Sequence, residues 1–152
     1  MKWHFKKQVG FTLVELMVVI VILGILLSLG VVKFASARDR ARQASTKTNM
    51  HAFRTVVEVY ATHYNGLYPD SVQNLLDDDA TRNEKVLFDM GNPYSLRSGR
   101  QESYADESYT PKKQGLVTMA FDGVSVGYTL YGYDKDASKI THRGVIYALS
   151  NH

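Results

Sequence analysis

The feature that most constrains this chain is an uninterrupted apolar run near its N-terminus. Residues 16–32 contain no charged side chain over 17 positions, and residues 18–23 read VVIVIL. At about 1.5 Å per helical residue the run spans roughly 25 Å, or roughly 33 Å when it is counted from Phe11. Its apolar residues cover every face of a helix, which an amphipathic surface helix does not do. The run predicts a helix that is long enough to cross a bilayer.

Two other interpretations of the run are a buried core helix and a cleaved secretory signal. A chain of 152 residues has little protein with which to surround a helix that is apolar on all sides. A secretory signal has an apolar core of about 7–15 residues, followed by small residues at the cleavage point. Here the run is longer and continues into further helical sequence, although Ser36 and Ala37 could mimic a cleavage motif. Both interpretations stay open.

The net charge of +3 comes from the first ten residues. Lys2, Lys6 and Lys7 precede Gly10 and no acid does, whereas the rest of the chain carries 15 basic and 15 acidic residues. No specific nucleic-acid partner is therefore predicted. Basic residues also follow the run, so a simple count places the C-terminal side in the cytoplasm. The chain has no cysteine, which excludes disulfides and thiolate metal sites.

After residue 32 the pattern becomes amphipathic without a break. One predicted buried stripe recurs at steps of three and four: Phe34, Ala37, Ala41, Ala44, Thr48, Ala52, Val56, Val59 or Tyr60, and His63 or Tyr64. No proline occurs in residues 1–68, and NGLYP at residues 65–69 is a stop signal. A single helix is predicted from near Phe11 to near Asn65, with Gly24 and Gly30 as its weak points.

The remainder of the chain predicts a short helix followed by strands. Asp70 is the predicted cap of the short helix, with Gln73 completing a capping box, and the helix should end by Leu76. Residues 81–114 are polar, and only residues 86–90 resemble a strand. Strands are then expected in residues 115–121, 124–133 and 144–150, the first two joined by a type I′ turn at Asp122-Gly123.

Such a sheet needs a cover for one face, and the amphipathic helix is available for it. The predicted fold class is α+β, with a long N-terminal α-helix, transmembrane in its first half and amphipathic in its second, packed on a small antiparallel β-sheet.

The start of the chain and three later segments resemble a known protein family. GFTLVEL at residues 10–16, between a lysine-containing leader and an apolar run, resembles the signal shared by type IV prepilins and the pseudopilins of type II secretion. The similarity continues in residues 63–75, 127–136 and 144–151. The resemblance implies the pilin fold and four segments: a cleaved leader (1–10), a transmembrane and assembly helix (11–32), the amphipathic second half of the helix (33–65) and a globular αβ-loop with a sheet (66–152).

The resemblance also implies roles for individual residues. Gly10 would precede the bond cut by a prepilin peptidase, and Phe11 would become the N-methylated mature N-terminus. Glu15 would help to assemble a filament by pairing with the N-terminal amine of a neighbouring subunit. A plain alternative is an interfacial glutamate that stays at the lipid headgroups. Lys6 and Lys7 would hold the leader in the cytoplasm, so the C-terminal domain is exported, against the simple charge count.

The function implied is that of a structural subunit of a type IV filament. A type IV pilin for adhesion, motility or DNA uptake is the first candidate and a type II secretion pseudopilin the second. A non-polymerising membrane-anchored binding module is the alternative of another class. The implied partners are other copies in a helical filament, the prepilin peptidase, an inner-membrane assembly platform and, before assembly, the lipid bilayer. The implied location is the bacterial inner membrane for a single-pass precursor, then a periplasmic or cell-surface filament.

No catalytic motif occurs in the sequence, and we do not expect an enzyme. No cofactor is expected either. Asp134 and Asp136 are candidate calcium ligands, but DKDASK at residues 134–139 lacks a suitably placed bidentate glutamate and also fits a turn.

The chain departs from the family pattern in two places. Val32 stands where many pilins carry proline, so Gly24 and Gly30 would have to supply any loosening of the helix. The C-terminal cysteine pair of many pilins is missing, so a different lock, or none, must hold the last strand.

Overall fold

The computed structural model describes residues 10–82, 86–121 and 127–151. These residues form two compact units, one up to Arg38 and one from Asp39. The helices are α1 (Leu13–His63), α2 (Val72–Asp77), α3 (Asp79–Arg82) and α4 (Val86–Asp89). The strands are β1 (Tyr104–Asp106), β2 (Val117–Phe121), β3 (Tyr128–Gly132), β4 (Thr141–His142), β5 (Val145–Ile146) and β6 (Ala148–Ser150).

The main sheet has the strand order β1-β2-β3-β6, and β4 and β5 form a separate hairpin. Strands β2 and β3 are antiparallel, with Phe121 opposite Tyr128, and β6 pairs antiparallel with β3. The fold is therefore α+β with a mostly antiparallel sheet, as predicted. The edge strand β1 was not predicted, and it pairs parallel to β2 with Tyr104 opposite Val117. The predicted turn at Asp122-Gly123 lies outside the described residues.

The second unit has its core between α1 and the sheet, which confirms the predicted cover. The buried α1 side chains Met50, Phe53, Val56 and Val57 belong to one cluster with strand residues Tyr104, Val117, Met119, Tyr128 and Leu130. The rings of Phe53 and Tyr104 lie 5.9 Å apart, centroid to centroid. Buried apolar area of this kind is the main favourable term in folding.

The predicted buried stripe of α1 was wrong at most positions. Ala41, Ala44 and Thr48 are exposed, and Val56 is the one member of the stripe that is fully buried. The buried face of α1 instead contains Thr46, Met50, Phe53, Val56, Val57 and Ala61. Methionine and phenylalanine bury far more apolar area than alanine, so the helix turns its larger side chains toward the sheet.

Two local predictions beyond α1 also need correction. The cap of α2 is Ser71, whose hydroxyl accepts from the Asn74 N–H at 3.4 Å, and the helix ends at Asp77. Gln73 does not complete a capping box but donates to Asp77 one turn later, at 2.8 Å. Residues 86–89 form a helical turn rather than a strand, because the alternation that indicated a strand is too short to exclude a helix.

The predicted strand over residues 144–150 is divided at Tyr147. Its first part pairs with β4 as the hairpin, and its second part is β6. The hydroxyl of Tyr147 lies 3.1 Å from His51 Nε2, and its ring lies 4.4 Å from Lys47 Nζ. Beyond β6, the Asn151 side-chain oxygen accepts from the Tyr128 N–H at 3.0 Å. These polar contacts hold the last strand without a disulfide.

Candidate processing and assembly segment

A reciprocal capping box starts α1. The Thr12 N–H and Oγ1 both donate to Glu15 Oε2, at 2.9 Å and 2.8 Å. In return, the Glu15 N–H donates to Thr12 Oγ1 at 3.2 Å. Threonine followed three residues later by glutamate is the sequence signature of this motif. TLVE at residues 12–15 displays it, and the sequence interpretation of Glu15 overlooked it.

The capping box leaves Gly10 and Phe11 outside the helix. Both residues are exposed, with Phe11 at 74%, and an added Cβ at Gly10 would meet nothing within 4 Å. The peptide bond between them is therefore sterically open to an enzyme. Its cleavage, the methylation of Phe11 and the assembly role of Glu15 stay predictions.

The first part of α1 presents an apolar surface in every direction. All large apolar side chains described between residues 13 and 31 are exposed, from 44% for Val19 to 74% for Leu13. Within the described residues, α1 is the one helix long and apolar enough to cross a membrane. An apolar surface of this extent requires lipid or other protein chains as its cover. Gly24 and Gly30 lie inside the assigned span of α1, so the loosening expected at them stays a prediction.

In the second unit, the charged side chain of Glu107, directly after β1, has several polar partners. Its carboxylate accepts from the hydroxyl of Tyr133 at 3.1 Å, from Lys139 Nζ at 2.9 Å and from the Thr118 hydroxyl, and Lys112 Nζ lies 3.4 Å away. Burial raises the pKa of Glu107, but the Thr118 bond and the two lysines outweigh it and hold that pKa below its ordinary value. Burial, followed by the influence of Glu107, raises the pKa of Tyr133 to about 12.

This cluster joins the loop after β1 to β2 and to the end of β3. Glu107 stays ionised and Tyr133 stays protonated at neutral pH, so neither group exchanges a proton there. The arrangement is that of a structural polar network.

The calcium candidates form a turn. Asp134 Oδ1 accepts from the N–H groups of Asp136 and Ser138, at 2.9 Å and 3.1 Å. An aspartate bonded to the backbone two residues ahead is an Asx turn. Across residues 10–82, 86–121 and 127–151, no group of three or more histidines and acids could hold a metal ion. Asp134 and Asp136 therefore have no third such ligand in that part of the chain.

Comparison with known proteins finds a family match in the N-terminal segment. Residues 5–31 match the family described as the prokaryotic N-terminal methylation motif. The chain carries a methylation motif. It is related to the type II secretion system core protein G of Vibrio cholerae, 40% identical over 70 residues, which are 46% of this chain and 47% of that protein. The same protein of Aeromonas hydrophila is 40% identical over 94 residues, 62% of each chain.

Pilins are also among the relatives. The type IV major pilin protein PilA of Myxococcus xanthus is 44% identical over 46 residues, 30% of this chain and 21% of that protein. This chain thus spans about half the length of the first secretion relatives, and somewhat more in Aeromonas hydrophila. No solved structure matches it. The motif match and the apolar first part of α1, which overlap at residues 13–31, indicate a membrane-anchored chain.

Proposed function

We propose that this chain is a structural subunit of a type IV filament, processed after Gly10 and polymerised through α1. One observation carries the proposal: residues 5–31 match a methylation motif, and the part of α1 inside that match has apolar side chains exposed on every face. Lipid can cover such a helix in the precursor, and neighbouring copies of the same helix can cover it after assembly. The proposed role is structural and does not involve catalysis.

Glu15 is the proposed electrostatic contact between copies. Cleavage after Gly10 would create a positive amine on Phe11, four residues before a carboxylate. In an apolar bundle, such an amine and the Glu15 carboxylate of a neighbour attract more strongly than in water. The pair would form only when the two helices have the correct axial offset, so it would set the register of the filament.

The partners follow from the same proposal. They are other copies of the chain, a prepilin peptidase that reads the leader, an inner-membrane assembly platform and the bilayer that holds the precursor. The C-terminal unit would lie outside the cytoplasm.

Pilin and secretion pseudopilin are both compatible with the relatives, and one observation favours the pseudopilin. The match to the core protein G of Aeromonas hydrophila covers 94 residues, more than the 51 residues of α1, so it extends beyond that helix. The match to the Myxococcus xanthus pilin covers 46 residues. Deletion of this gene would separate the two: loss of an exported enzyme supports the pseudopilin, and loss of surface filaments with normal export supports the pilin.

Mass spectrometry of the protein purified from membranes tests the processing step. We expect a chain that begins at Phe11 and carries one additional methyl group on its amine. An intact N-terminus would contradict the proposal and would favour a membrane-anchored binding module that does not polymerise.

Two substitutions separate the assembly role of Glu15 from its capping role. Glu15→Gln keeps an acceptor for the cap but removes the charge, since glutamine also serves in capping boxes. Thr12→Ala removes the cap but keeps the charge. We expect both variants to reach the membrane, and Glu15→Gln to lose most of the sheared filament yield while Thr12→Ala retains it. The opposite ranking would show that the helix cap, and not the charge, is what assembly needs.

A further inference from the structure

In the second unit, basic side chains are concentrated in the first part of its α1 segment, and acids are concentrated in the connecting loop, α2 and α3 beyond the end of α1. Residues 40–54 hold four basic side chains and no acid, whereas residues 55–81 hold five acids and no lysine or arginine. One opposite charge borders each range, Asp39 before the first and Arg82 after the second, and Glu58 lies 3.8 Å from Arg54. The basic group is Arg40, Arg42, Lys47 and Arg54, and the acidic group is Glu58, Asp70, Asp77, Asp78 and Asp79.

The acidic end is built around the last turn of α1. The hydroxyl of Tyr64 donates to Asp78 Oδ1 at 2.7 Å, which fixes the α2–α3 segment beside that turn. Asp77 and Asp79 are exposed, and Leu67 in the connecting loop is 54% exposed. This end therefore combines negative charge with an exposed apolar side chain.

The opposite end carries the β4–β5 hairpin. Its turn residues Arg143 and Gly144 both have positive φ, 53° and 81°, as a type I′ turn requires. Both strands are exposed, with Val145 at 71% and Ile146 at 51%. No acid occurs in residues 137–151. The hairpin therefore combines positive charge with exposed apolar side chains.

The two surfaces cannot meet within one copy. Tyr147, at the base of the hairpin, contacts Lys47, whereas the acidic end is fixed to Tyr64. These helix positions are 17 residues apart, which is about 25 Å along the axis. Complementary surfaces at opposite ends of a subunit make a heterologous contact, and repetition of such a contact builds a ring or an open helical filament.

We propose that the β4–β5 hairpin docks on the acidic end of the next copy of this chain, with Arg143 facing Asp77 and Val145 against Leu67. The inference rests on the proposed filament function and adds a contact between the globular units to the helix contact. Charge complementarity selects the partner, and the apolar side chains on both surfaces supply the area that becomes buried.

Because the natural chain has no cysteine, disulfide trapping gives a clean test. Val145→Cys and Leu67→Cys in one chain should yield a ladder of dimers, trimers and longer oligomers when purified filaments are oxidised. An intramolecular bridge is excluded, since a disulfide needs Cα atoms within about 7 Å. The control pairs Val145→Cys with Leu96→Cys, a loop position that is 85% exposed; it should give no ladder. Cross-links to a different protein would overturn the inference.

Charge exchange is the second measurement. Arg143→Glu and Asp77→Arg should each lower filament yield by about tenfold, because like charges would then face each other across the contact. The double variant should recover most of the yield. Filaments that form without the ladder, or a double variant no better than the single ones, would overturn the inference alone. Failure of the unsubstituted chain to form filaments would overturn the proposed function as well.

Discussion

Substitution of Glu107 by glutamine should cost the second unit about 2–3 kcal/mol of stability at neutral pH. The carboxylate accepts from Thr118, Tyr133 and Lys139, and hydrogen bonds to a charged group contribute about 1.5–3 kcal/mol each. The side-chain amide of the glutamine that replaces Glu107 can still accept some of these hydrogen bonds through its oxygen. The side chains of Lys112 and Lys139 are 20% and 29% exposed, so water compensates in part for the lost charge. These offsets bring the expected loss down to the size of about one charged hydrogen bond.

The loss should depend on pH in a defined direction. The folded state holds the pKa of Glu107 below its ordinary value of 4.5, so the ionised carboxylate stabilises the fold above that pH. This stability is lost as the pH falls through the folded-state pKa. The difference between the natural chain and Glu107→Gln should therefore be constant from pH 5 to 7 and shrink below pH 4.5.

Urea unfolding of the full chain in detergent, followed by near-UV circular dichroism of tyrosine, measures this difference. All ten tyrosines lie at or beyond residue 60, so the signal reports on the second unit. The matched control is Glu102→Gln, which removes one ion pair with Lys113 at 2.5 Å. Its lysine is 35% exposed, more than Lys112 or Lys139, and this single ion pair should be worth only about 0.2–1 kcal/mol. Equal losses in the two variants, or a Glu107→Gln loss that persists at low pH, would refute the reasoning.

Two further substitutions test the packing of α1 on the sheet. Phe53→Ala, at a position with no exposed area, should lower the free energy of unfolding by about 3–5 kcal/mol, whereas the exposed Thr55→Ala should change it by less than about 0.5 kcal/mol. Gly132→Ala would place a Cβ 2.7 Å from Met50 Sδ, and urea unfolding should show a loss of about 1–3 kcal/mol. Its control is Gly91→Ala, where an added Cβ meets nothing within 4 Å; comparable losses at both glycines would contradict the overpacking argument.

The sequence allowed the long helix and the strands β2 and β3 to be predicted because their signals are local. An apolar run, an amphipathic period and an alternating strand pattern each reflect one element and its own surroundings. β1 could not be found in this way. Only Tyr104 of its three residues favours a strand, since alanine and aspartate are depleted in strands, and the three pair with β2 through contacts distant in sequence.

The face of α1 that is buried was mispredicted for a different reason. A helical period fits the small residues as closely as it fits the residues that are in fact buried. The small residues stand at positions 37, 41, 44, 48 and 52. Periodicity identifies a stripe, but side-chain area decides which stripe is buried, and Met50 and Phe53 carry most of that area. The division of the C-terminal run at Tyr147 likewise depends on contacts with α1, which the local alternation of residues does not contain.

The capping box changes how Glu15 is expected to act in a filament. A carboxylate without hydrogen-bond donors would cost free energy in an apolar bundle, and pairing with a neighbouring amine would then offset that cost. Here, however, both bonds from Thr12 go to Oε2, and within the described residues Oε1 accepts no hydrogen bond. Since a carboxylate has two oxygens and about four acceptor sites, one oxygen can cap its own helix while the other accepts a neighbour's amine. In Glu15→Gln the oxygen would serve the cap, and the amide NH₂ would point a donor at the incoming amine, which is itself a donor. The variant should therefore keep its helix start and still fail to assemble, because a single side chain serves both contacts and only its ionised form can serve them together.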